Sequence, residues 1–145
     1  MRNNYRMYGF VPYNISELQK GIQFGHAVVE YSNQFKDFTD YIEWSTLNKT
    51  FIILNGGTTN TSPISLGGMN IILEQIKKQG IKYATFFEED LGNQLTAIVF
   101  LVDQDTYLYD KGYHKDEVDY NDRFRVVDTT DKTFFRSLLM DKKLA

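Results

Sequence analysis

Apolar positions between residues 18 and 29 recur at spacings of four, three and four, so that Leu18, Ile22, Gly25 and Val29 fall on one stripe of an amphipathic helix. Ser16 followed by Gln19 is a capping-box pattern and sets where that helix begins. The stripe predicts the side turned to the core. A neighbouring stripe carries Gln19, Gln23, His26 and Glu30, among which Gln and neutral His both donate and accept hydrogen bonds. Two readings stand for it: a surface for a polar ligand, and the solvated face of a surface helix.

Upstream, residues 6–11 read as an opening strand stopped by Pro12 and a turn at Asn14. Downstream, a helical stretch from Asp37 to Thr46 is crowded with Phe38, Tyr41, Ile42 and Trp44 and reads as a short lid or bridging helix. The continuous run Thr50 to Leu54 predicts a central strand covered on both faces. Leu66, Met69, Ile72, Leu73 and Ile76 return to helical spacing. Gly80 closes that helix, with Lys77 and Lys78 in its last turn. Ile81 to Phe87 is strand-like, and Leu95 to Val102 is a second buried strand. Strand, helix, helix, strand, helix, strand, strand is the order of an α/β sandwich, a small mixed sheet with helices on both sides.

The texture changes near residue 104. Asp103 to Asp122 interleaves Tyr107, Tyr109, Tyr113 and Tyr120 with charges and predicts a long loop or irregular hairpin. A strand is expected at Phe124 to Val127. Thr130 would cap a final helix whose Phe134, Phe135, Leu138 and Leu139 dock on the core or on a second subunit. The chain divides into a domain over residues 1–104 and an irregular C-terminal extension over 105–145.

A chain of 145 residues suits one ordinary domain rather than two. With no cysteine, disulfides, thiol nucleophiles and thiolate zinc sites are excluded. His26 and His114 belong to no compact ligand motif, so neither a metal nor a cofactor is expected. A net charge of -3 disfavours a long nucleic acid as partner. No apolar run approaches membrane-spanning length and the first residues lack a signal-peptide core, so no membrane partner and a cytoplasmic location are expected.

Ligands of α/β sheets bind outside the carboxyl ends of strands, which singles out three segments: Ser16 to Gln23, Asn55 to Ser62 and Glu88 to Gln94. In the second, Gly56-Gly57 either brings backbone amides to an anion or serves only turn geometry; neither a P-loop nor a dinucleotide fingerprint is present. In the third, crowding of Glu88, Glu89 and Asp90 is one way to raise a carboxyl into the general acid or base range, and a solvated strand end is the other reading. No serine stands in a nucleophile elbow.

Lys20-Gly21-Ile22-Gln23 with His26-Ala27, the downstream Trp44, the strand from Thr50 to Leu54, and Glu89-Asp90-Leu91-Gly92 followed by Leu95-Thr96-Ala97 together resemble the type II peptidyl-tRNA hydrolases and their broader superfamily, over roughly residues 5–104. The resemblance implies a three-layer α/β/α fold around a four-stranded mixed sheet, a homodimer, and metal-independent cleavage of the ester joining peptide to tRNA. It attributes catalysis to a lysine near the start of the first helix, an aspartate and a threonine. Asp90 matches the aspartate. The threonine position falls on Gln94 by ungapped counting or on Thr96 after a small shift. With Gln23 and His26 aligned, the lysine position falls on Gln19, and Lys20 stands one residue on, about 100° around the helix.

The expected function is therefore a non-catalytic or repurposed member that binds a small polar or nucleotide-type ligand through Gln19, Gln23, His26, Asn55, Gly56, Gly57, Asp90 and Asn93. Its size and its many Asn and Lys residues are compatible with a phage protein that sequesters a host immune signalling nucleotide. A second reading is a genuine hydrolase using Lys20, Asp90 and Thr96. A third is an interaction module that docks a partner through the C-terminal extension.

Overall fold

Alternation decides the opening strand: in β1 (Arg6–Val11) Met7 and Val11 face one side of the sheet, Tyr8 and Phe10 the other, and all four are buried. The computed structural model describes residues 4–59, 67–109, 138–139 and 142–145. After β1 come α1 (Glu17–Phe35), α2 (Thr39–Glu43) with a π-helical turn over Trp44–Asn48, and β2 (Thr50–Asn55). Then follow α3 (Gly68–Gln79), β3 (Ala84–Glu88), a 3-10 turn over Glu89–Leu91, β4 (Gln94–Val102) and α4 (Gln104–Tyr109). The strands form one mixed sheet in the order β2-β1-β4-β3, parallel between β1 and β2 and antiparallel elsewhere. This is the α/β fold that the hydropathy pattern predicts.

Buried residues separate into two clusters. Tyr8, Phe10, Ile98 and Phe100 pack with Met69, Ile72, Leu73 and Ile76 of α3, while Met7, Val11, Ala97 and Val99 pack with Phe24, Ala27 and Tyr31 of α1 and with Trp44. Burial raises the pKa of the Tyr31 phenol, and the charge of Asp40 pushes it the same way. At Gly9 the backbone of β1 meets α1 closely: a Cβ there would stand 2.3 Å from Cε1 of Phe24 and 2.9 Å from the carbonyl oxygen of Ile98. Trp44 closes the same cluster, its indole N–H donating to the carbonyl of Thr50 at 3.0 Å.

Two expectations about facing are corrected. On α1 the buried stripe is Gln23, Phe24, Ala27 and Tyr31, whereas Leu18, Ile22 and Val29 stand largely exposed. The helix carries two apolar stripes, and the one with the large rings and a small alanine wins because it buries more area and lets α1 approach β1 at Gly9. Among the described strands β2 lies at the edge of the sheet rather than at its centre, with Phe51 half exposed. Part of its outer edge is taken by the chain's own tail: Asn55 N–H donates to Lys143 O at 2.8 Å, and Ala145 N–H to Ile53 O at 3.0 Å.

Where a long loop or irregular hairpin was expected from Asp103, the chain first forms α4, because the Asp103 carboxylate accepts from Thr106 N–H at 2.9 Å and caps the turn. Arg6 ties α4 to β1, its guanidinium lying 3.8 Å from the ring centroid of Tyr107. The expected strand at Phe124–Val127, the Thr130 cap, Phe134 and Phe135 lie outside the described residues. Leu138 and Leu139 are buried in the α3 cluster. Among the described residues no helix is long and apolar enough to cross a membrane.

Candidate functional site

Ser16 starts α1 as its spacing predicts, its hydroxyl accepting from Gln19 N–H at 3.1 Å. That start, the turn before it and the end of β3 enclose a cavity of about 360 Å³ lined by Asn14, Ile15, Ser16, Gln19, Glu88, Asp90 and Leu91. A volume of that size lies at the lower end of small-molecule sites, roughly 300–1,000 Å³.

Beneath the cavity runs a hydrogen-bonded chain that begins in the sheet. Between Phe86 and Phe87 the register of β3 on β4 shifts, so Phe86 faces Ala97, Phe87 faces Leu95, and Thr96 has no opposite residue. The bulge turns Thr96 toward α1, where its hydroxyl reaches Gln23 Oε1 at 2.7 Å and the Phe86 carbonyl at 3.2 Å. The Gln23 amide, fully buried, donates from Nε2 to Glu88 Oε1 at 2.8 Å and to Gln19 Oε1 at 3.0 Å. Its orientation follows from chemistry: an ionised carboxylate only accepts, so the NH2 end must face Glu88 and the carbonyl end Thr96. Gln19 accepts through its carbonyl and keeps its own amide hydrogens for another partner.

Glu88 also accepts from Asp90 N–H at 3.3 Å. The Gln23 amide first, and the Asp90 N–H after it, hold the Glu88 carboxyl below its ordinary 4.5, so it is a carboxylate acceptor rather than a proton donor near neutrality. Since the folded value is depressed, this contribution to stability is complete above 4.5 and disappears as pH falls through the folded value. A carboxyl NMR titration is expected to put the Glu88 midpoint below 4.5, returning upward in Gln23→Leu; a native midpoint at or above 4.5 contradicts this wiring.

The other expected site residues divide. Asp90 is exposed on the cavity wall. Thr96 is fully buried under Gln23. The Lys20 ammonium lies 2.9 Å from Glu17 Oε1, and Lys20 is not among the lining residues. His26 is exposed and stacks on Phe86, ring centroids 4.4 Å apart. Asn93 takes a positive φ in the turn between β3 and β4, its N–H bonded to Glu88 O at 2.8 Å.

The anion-cradle reading of Gly56-Gly57 is corrected. Gly56 N–H is already donated to Val11 O at 2.9 Å and Gly57 N–H to the Asn55 side chain at 2.8 Å, so neither amide has a hydrogen left for an anion. Asn55 therefore works as a turn residue. The same loop braces the cavity from behind: Gly57 O accepts from Tyr13 N–H at 2.9 Å, the Asn14 side chain accepts from Thr59 N–H at 3.4 Å, and the Thr59 hydroxyl donates to Leu95 O. Asn14, read from the sequence only as a turn residue, is a functional candidate, and Glu88, read there as an acid that crowding could raise, is instead lowered by its donors.

A larger groove of about 490 Å³ lies by Gln34, Phe35 and residues 80–85. Among the described lining residues the one charged group, Lys82, is held by Asp40 at 2.7 Å. Among the described residues no group of three or more His, Asp or Glu side chains is arranged to hold a metal. Compared with the models of known protein families the chain matches none, and no curated protein matches it either.

Proposed function

We propose that the protein is a non-catalytic binder of a small nucleotide-type ligand, a repurposed peptidyl-tRNA hydrolase-like chain whose ligand enters the cavity beside Ser16 and Gln19. The observation that carries the reading is the sealed network: Thr96 is closed off beneath Gln23, Lys20 is engaged by Glu17, and Gln19 stands at the rim where the resemblance puts the lysine. Among the described residues of the lining, no hydrogen bond joins the Ser16 hydroxyl to a base. What the lining offers is recognition: two carboxylates, Glu88 and Asp90, accept hydrogen bonds, while Gln19 has amide hydrogens to give.

Such a wall selects the part of the ligand that enters. Two carboxylates, with no cation among the described lining residues, repel phosphate and attract an amino-bearing edge, as carboxylates accept from the exocyclic amine of cytosine. The base would enter and its phosphate remain outside. Retention without turnover is the behaviour that sequestering a signalling nucleotide requires.

Titration calorimetry with the 5′-monophosphates of adenosine, cytidine, guanosine and uridine tests this. At least one amino-bearing nucleotide is expected to bind about tenfold or more tightly than uridine monophosphate, and Asp90→Asn to remove most of that difference. Equal binding of all four, binding of none, or release of the peptide from peptidyl-tRNA by the purified protein would overturn the reading.

A further inference from the structure

Past Gln23 the polar stripe of α1 continues to His26, which the hydrogen-bonded network leaves out. Its ring lies on that of Phe86, the centroids 4.4 Å and the planes 19° apart, so the side chain is held although it is exposed. Among the described residues neither ring nitrogen has a hydrogen-bond partner. A stack of this kind fixes the ring and leaves its edge, where the nitrogens sit, free to bond.

The position is set by the same strand as the cavity. Phe86 and Glu88 both belong to β3, and after the Gln23 amide and the Asp90 N–H the charge of His26 is a further, smaller pull on the Glu88 carboxyl. On the helix Gln19, Gln23 and His26 stand at i, i+4 and i+7, two turns of one face. The seam between α1 and β3 therefore runs from the cavity rim to the imidazole.

We propose that His26 is the phosphate contact of the ligand whose base enters the cavity, so that the site takes a nucleoside 5′-monophosphate in preference to a free nucleoside. The inference rests on the reading of the cavity given above. From Gln19 to His26 the helix rises about 10 Å, a length comparable with the span from the amino edge of a base to its 5′-phosphate. The phosphate then lies past the two-carboxylate wall, at about the distance over which physiological salt screens a charge, roughly 8 Å. Neutral imidazole offers it one N–H and imidazolium two. Neighbouring cations are committed or distant: Lys20 is held by Glu17 and Lys82 by Asp40, while Lys36 stands past the end of α1, about 15 Å beyond His26. Glu30 is the next polar position of the stripe, and its carboxylate repels a phosphate chain longer than one unit.

A ring that only shields Phe86 needs no nitrogen, and this decides the variants. Titration calorimetry with adenosine, cytidine and their 5′-monophosphates is expected to show the monophosphate of the preferred base binding about tenfold or more tightly than its nucleoside, the gain of one charge-assisted hydrogen bond. His26→Phe keeps a ring on Phe86, removes both nitrogens and should abolish that gain, while His26→Arg should restore it. Thermal unfolding checks that each variant is folded. Adenosine triphosphate without magnesium should bind no more tightly than the monophosphate. Equal binding of nucleoside and monophosphate by the wild-type protein, a gain that survives His26→Phe, or tighter binding of the triphosphate overturns the proposal, and a preference for amino-bearing bases in the same titrations leaves the cavity reading standing. Asp90→Asn moves the other ratio, that between bases. A phosphate gain without any preference among bases overturns the cavity reading instead, and no binding at all overturns both.

Discussion

Replacing Gly9 by alanine is expected to remove about 3 kcal/mol of stability, the upper part of the range for overpacking a tight core. The new Cβ would sit 2.3 Å from a Phe24 ring carbon and 2.9 Å from the Ile98 carbonyl oxygen. The ring has little room to retreat, because Phe24 is 4% exposed and packs edge-on against Phe51 at 5.3 Å. The second contact is backbone in the central strand β4 and gives way only if the sheet moves. Urea unfolding should show a lower midpoint at nearly unchanged slope, and a loss below about 1 kcal/mol would mean that α1 slides over the sheet without penalty. The position matters beyond stability. Phe24 is the residue after Gln23, so whatever lifts α1 from β1 also lifts Gln23 from Thr96.

This dependence explains which parts of the molecule are legible in the sequence. Strand β4 and helix α3 are read correctly because their apolar patterns have one solution: Leu95 to Phe100 are buried, and so are Met69, Ile72, Leu73 and Ile76. The start of α1 is equally local, since Ser16 caps a backbone amide three residues away. The face of α1 is not local. Two stripes of similar hydropathy compete, and the choice rests on a glycine in another strand. The edge position of β2 is hidden for a related reason, because its apolar run matches that of a central strand and its outer partner, the tail near Leu144, is far away in sequence.

The site divides along the same line. Gln19, Gln23 and Asp90 are legible as polar groups near strand ends; Gln19 and Asp90 do line one cavity, and Gln23 lies buried beneath it, bonded to Gln19. Glu88 is hidden inside a run of acids, and only the β-bulge that aims Thr96 at Gln23 distinguishes it from Glu89. Gly56-Gly57 misleads because nothing local says that Val11 and Asn55 already take its donors.

Gln23→Leu is the substitution that tests the network itself, and it is expected to lower stability by about 2 kcal/mol. Leucine fills nearly the same space, so the loss comes from hydrogen bonds rather than a void. Glu88 loses its buried donor, Gln19 loses the group that fixes its carbonyl, and Thr96 keeps only the Phe86 carbonyl. The cost is limited because Glu88 lies at the rim, where water can replace the amide. A second variant, Thr96→Val, separates the terms: if Thr96 acts through Gln23, the two substitutions together should cost about 1 kcal/mol less than the sum of each alone. Additive losses would mean that Thr96 only packs. Binding provides a readout that packing alone would not move. With Glu88 and Gln19 no longer held, the preference for an amino-bearing nucleotide over uridine monophosphate should fall with Gln23→Leu even at temperatures where the variant is fully folded, because the wall would still carry its charge but no longer its direction.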